Sequence, residues 1–160
     1  MSNMRLASSS SIPAKAAVLC LAADEPAQRQ LAAATSDKSI AIFDCTVLGG
    51  VPLRTLGETS AAHGDRINEL TFATGPLVSA SSDGTVKLWD AARASAAPIS
   101  TLTSAKPGAG DESDEVWSVS TDAFMLAAGT ESAVIIWDVR RCAIIFLEFL
   151  THPVCSMPCL

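Results

Sequence analysis

Three times along the chain, short stretches of alternating apolar and polar residues recur in the same order, separated by turn-forming residues. The sharpest stretch is Ser79 to Asp90, SASSDGTVKLWD. A short alternating strand runs into Ser81-Ser82, and a second, Thr85-Val86-Lys87-Leu88-Trp89, closes on Asp90. Asp83-Gly84 between them predicts a two-residue hairpin loop with positive φ at both positions. Upstream, ATSDKSIAIFD (34–44) repeats the pattern at an offset of 46; downstream, AGTESAVIIWD (128–138) repeats it at 48. The agreement continues past each signature. Pro52 follows Asp44 as Pro98 follows Asp90, Leu53, Ile99 and Leu147 align, and so do Leu56, Leu102 and Leu150. A further apolar stretch precedes each: Ala17 to Leu21, Ile67 to Phe72, and Val116 to Val119. Each period therefore predicts four short strands, a to d, and the chain an all-β fold.

The strand–Asp-Gly–strand–Trp-Asp unit resembles the signature of the WD40 repeat, whose four-stranded units form the blades of β-propellers. The spacing lies just above the roughly 40–45 residues usual for such units. The resemblance covers residues 15 to 150 as three consecutive blades, 15–62, 63–111 and 112–150. Residues 1–14 are expected to be a disordered tail and 151–160 an irregular one. The expected fold is an open, partial propeller of three four-stranded antiparallel blades.

In this family a well-formed repeat holds a buried hydrogen-bonded tetrad. By resemblance its members here are His63, Ser79, Asp83 and Trp89. The chemistry suits the assignment: an indole N–H only donates, a hydroxyl accepts it and donates onward, and imidazole passes the chain to a carboxylate. His63-Gly64 reverses the family's usual dipeptide order. The outer repeats are incomplete. The first has Phe43 for the Trp and Ala33 for the hydroxyl; the third has Ala127 for the hydroxyl, Glu131 for the Asp and Glu112 for the His. Ser79, His63 and Asp83 also form the residue set of a serine-nucleophile triad. That chemistry needs an exposed hydroxyl and an oxyanion hole. No Gly-x-Ser-x-Gly elbow occurs, and Ser79 sits in an alternating strand. A structural network is the expected role.

Composition narrows the partners. The 160 residues are 49% hydrophobic and 18% charged, with net charge −6. Eleven scattered basic residues, with Arg140-Arg141 the only adjacent pair, argue against nucleic acid, since phosphate binding needs clustered Lys and Arg. No stretch approaches the ~20 apolar residues of a membrane helix. Five cysteines do not suggest a disulfide framework. Cys20, Cys45 and Cys142 fall in or beside predicted strands as small apolar residues, and Cys155-x-x-x-Cys159 near His152 lacks paired zinc-ligand spacing. No metal or cofactor is expected. The leader MSNMRLASSSSIP, with the apolar run after it, is the residue pattern of a targeting segment, but Ala16 to Leu21 is already required as a strand. A cytoplasmic or nuclear location follows from the free thiols.

Two segments stand outside the strand rhythm. Lys106 to Glu115 (KPGAGDESDE) reads as a solvated acidic loop around Ser113, and Ala91 to Pro98 as a small-residue loop. Trp137-Asp138-Val139-Arg140 is similar to the WDxR box of WD40 substrate receptors of cullin-RING ubiquitin ligases. That resemblance makes Arg140 a candidate adaptor contact. The leading expectation is a non-catalytic protein-interaction scaffold acting through its blade loops. Since propellers close with about four to eight blades, three leave two faces open. The chain is therefore expected to derive from a longer propeller, to self-associate, or to be completed by another chain.

Overall fold

The computed structural model describes residues 16–24, 29–47, 51–57, 62–92, 97–105, 113–122 and 124–138, together with the backbone of 143–149. These residues form twelve strands in three four-stranded antiparallel sheets. The first blade holds β1 (Val18–Ala23), β2 (Gln30–Thr35), β3 (Ile40–Asp44) and β4 (Arg54–Leu56). The second holds β5 (Ile67–Phe72), β6 (Leu77–Ser81), β7 (Thr85–Trp89) and β8 (Ser100–Thr103). The third holds β9 (Val116–Asp122), β10 (Met125–Thr130), β11 (Ala133–Asp138) and β12 (Ala143–Phe149). Each is a meander of sequential neighbours, and none of the sheets closes on itself. The molecule is an open, partial propeller. No helix among the described residues is long and apolar enough to cross a membrane.

Strand alternation gives each blade two faces, and the core lies between blades. Ala32, Ala34, Ile40, Ile42 and Leu56 of the first blade meet Ile67, Leu70, Leu77 and Trp89 of the second. On the opposite face of the second blade, Val78, Ala80, Val86, Leu88 and Leu102 meet Val116, Val119, Leu126, Ala128, Ile135 and Trp137 of the third. The second blade is thus covered on both sides. Its inner strand β5 runs beside β1 on one flank and β9 on the other.

The register corrects three details of the sequence reading. First, the Asp-Gly loop has three residues, not two. Gly84 N–H donates to Ser81 C=O (3.2 Å), and of the loop residues only Gly84 takes positive φ (76°). This is a type I turn followed by one left-handed residue, a common three-residue hairpin. Lys38 holds the same place in the first blade at φ 70°. Second, the hairpin of the third blade is one residue shorter: Gly129 pairs with Val134, whereas Ala80 pairs with Val86. That deletion moves the position equivalent to Ser79 from Ala127 to Ala128, which is buried. Third, Glu148 faces Val134 where Leu56 faces Ile40 and Leu102 faces Val86, so Leu150 is not the equivalent residue. The chain from β11 to β12 is two residues shorter than that from β7 to β8, Ile136 pairing with Phe146 where Leu88 pairs with Ser100, and this accounts for the difference. Cys45 is exposed beyond the end of β3 rather than buried, while Cys20 packs against the first interblade core. The expected tails, Cys142 and Leu150 lie outside the described residues.

Candidate functional site: a buried polar network in the second blade

The sequence sets up the site through local rules. Alternation in β6 turns Leu77 and Ser79 to one face, and antiparallel pairing sets Trp89 directly across from Leu77. The indole N–H of Trp89 donates to Ser79 Oγ at 2.8 Å. Ser79 Oγ lies 2.7 Å from His63 Nε2, and His63 Nδ1 lies 2.9 Å from Asp83 Oδ2. The donors fix the polarity. Ser79 accepts from Trp89 and donates to Nε2, so Nδ1 carries the imidazole proton and donates it to Asp83. His63 and Trp89 also meet edge-on, 6.3 Å between ring centroids. The structure brings together all four residues named from the sequence.

Asp83 is the hub. Its Oδ2 accepts from Gly64 N–H (2.6 Å), so the reversed His-Gly order delivers a backbone donor to the carboxylate. Its Oδ1 accepts from the Thr85 amide (2.9 Å) and hydroxyl (2.6 Å). Burial opposes charge on Asp83. The hydrogen bonds from His63, Thr85 and Gly64, with the nearby imidazole, outweigh it and hold the carboxyl below the usual range. Lys87, buried beside this group, donates to Ala62 C=O at 2.8 Å. Burial lowers its pKa, and the charge of Asp83 acts against that.

The other turns keep parts of this design. In the first blade Asp37 Oδ1 accepts from Thr35 (2.5 Å) and Ser39 (2.8 Å) hydroxyls, which lower its pKa. Phe43 and Ala33 stand in register with Trp89 and Ser79, as expected. In the third blade Glu131 is exposed, and the turn hydroxyls of Thr130 and Ser132 donate instead to Asp114, just before β9. Sequence reasoning missed Asp114, Thr85 and Lys87. The Asp-x-Thr spacing of Asp83 and Thr85 was the readable signal for one of them.

Blade 2 also reaches across to blade 3. Asn68 Nδ2 donates to Val116 C=O (2.8 Å), and Glu69 Oε2 accepts from the Val119 amide (2.7 Å). Nearby, the Arg66 guanidinium lies 5.9 Å from the ring centroid of Trp117, which is 48% exposed. Ser113, within the acidic segment, abuts Gly84: a Cβ built on Gly84 would come within 2.2 Å of Ser113 Oγ.

The arrangement leaves little room for chemistry on Ser79. Its hydroxyl is fully buried and occupied by Trp89 and His63, so the residue set of a nucleophilic triad is present without access. The Cys20 thiol is pushed up to about 11 by burial and by the charge of Glu69, away from thiolate reactivity. Among the described residues no group of three or more His, Cys, Asp or Glu is placed to hold a metal. Cys155, Cys159 and His152 lie outside them. So does Arg140; Trp137 and Asp138 of its motif end β11.

The family profile described as "WD domain, G-beta repeat" matches residues 50–90. Those residues are a WD40 repeat. All four network residues, His63, Ser79, Asp83 and Trp89, fall within the match. No curated protein matches the chain. Among solved structures, the crystal structure of the computationally designed Ika4 protein is similar at a TM-score of 0.66 and 18% identity, covering 86% of this chain and 76% of that one. Solved chains that match number 873, and a shared fold by itself singles out no activity.

Proposed function

We propose that the chain is a non-catalytic protein-interaction scaffold. The observation that carries this reading is that the one complete polar constellation among the described residues is buried and serves the WD40 repeat itself. Exposed chemistry lies instead on the rim where β5 and β9 begin. There Arg66 sits over the half-exposed Trp117, and Arg and Trp are the residue types that most often anchor protein interfaces. The net charge of −6 supports a protein partner over a phosphate backbone.

The test compares wild type with an Arg66→Ala/Trp117→Ala double variant by quantitative affinity capture from the cells that make the protein. Expected is a defined set of proteins held by wild type and lost from the variant, with the fold of both verified by circular dichroism. Equal recovery from both would remove the rim as the contact surface.

A further inference from the structure

The interface between blades is made twice, with the same register each time. The face that the second blade turns to the first carries Leu77 opposite Trp89; the third blade presents Leu126 opposite Trp137 in the same place. The first blade has the equivalent pair, Leu31 opposite Phe43, on the side away from the second. The reverse faces also match. They pair Ala32 with Ile42 and Ala34 with Ile40 in the first blade, and Val78 with Leu88 and Ala80 with Val86 in the second. In the third, Ala127 pairs with Ile136 and Gly129 with Val134. Blades one and three therefore end in the two complementary halves of a contact the chain already forms internally.

We propose that these halves join between two copies of this chain, the back of the third blade of one stacking on the front of the first blade of the other. The contact is head-to-tail, and two such contacts give a closed ring of six blades, within the range of about four to eight known for propellers. A cavity of about 590 Å³ supports the assignment. On the back of the third blade it is lined by Ser118, Ser120, Ala127, Gly129 and Val134, and it extends past β9 to Glu69, Thr71 and Phe72 of β5. Since β5 follows β1 and β9 follows β5, this is where the next inner strand would lie. In the proposed ring that strand is β1 of the second copy. Leu21, at the register of buried Leu70 and 59% exposed here, would enter the contact opposite the face bearing Val134, 39% exposed. One position departs from the pattern: Glu148 stands where the covered faces have leucine. The proposal rests on the stacking of blades and not on the scaffold reading.

Light scattering and native mass spectrometry on the full chain test it. Expected is a species of twice the 16.6 kDa chain mass. Leu21→Asp and Val134→Asp should each give monomer with the sheet signal retained, and mixing the two variants should recover dimer through the one intact pair of faces. Glu148→Leu should tighten the dimer, and it keeps the test decisive if an aspartate variant fails to fold. A monomeric wild type, a dimer indifferent to both aspartates, growth into open polymers, or a Glu148→Leu variant no tighter than wild type would overturn the proposal.

Discussion

The second and third blades place a tryptophan at the same register, against a leucine of the neighbouring strand, yet they hold it differently. Trp89 donates to Ser79 and so joins a chain that ends on Asp83. Trp137 lies in a blade whose corresponding position is Ala128, and that blade secures its turn from outside the hairpin, through Asp114. Both tryptophans are buried to the same degree, at 1% and 2% exposure. Packing alone therefore fixes a blade's outline, while the hydrogen-bonded chain adds a penalty for every other arrangement. An unmatched buried donor or acceptor costs about 1–3 kcal/mol.

The largest expected effect comes from the turn that joins the network to the next blade. Gly84→Ala forces a side chain into a left-handed position, about 1–2 kcal/mol, and drives it into Ser113, where overpacking costs about 1–3 kcal/mol more. Denaturant unfolding should show a loss of roughly 2–5 kcal/mol, the sum of those ranges. A loss no larger than the backbone cost would mean that Ser113 yields freely.

Next is the direct contrast of the two tryptophans. Trp89→Phe leaves Ser79 without its donor and should cost about 1–3 kcal/mol more than Trp137→Phe, which meets no hydroxyl at the equivalent place. Equal shifts in denaturation midpoint would show that the network adds nothing to packing.

The smallest effect is the pH dependence. Asp83 has a depressed pKa in the folded state, so the unfolded chain takes up its proton first. Its contribution is complete above the unfolded value near ~4 and fades as pH falls below that toward the folded value. Wild type should lose stability more steeply than Asp83→Asn over that acid interval. Parallel acid profiles would count against Asp83 as the hub.

Much of this was legible in the sequence because period-two alternation and turn chemistry act locally. Strands β5 and β7 have the bounds read from the pattern, and the four tetrad residues converge as the resemblance implied. What escaped is set by register. The missing residue in the hairpin of the third blade and the two missing between β11 and β12 each displace a strand against the repeat spacing. Counting by a fixed offset therefore lands on Ala127 and Leu150 instead of Ala128 and Glu148. Asp114 was hidden for another reason: its partners, Thr130 and Ser132, lie across a whole hairpin from it.

The straps from Asn68 and Glu69 to the backbone of β9 imply an order of opening. They anchor the inner strand of the third blade to the second at its amide and carbonyl groups, while β1 meets β5 with Leu19 and Cys20 at the corresponding positions. Local unfolding should then begin with the first blade. Amide hydrogens of β2 and β3 would exchange through a partial opening, whereas those of β6 and β9 would wait for the pair of blades to come apart together.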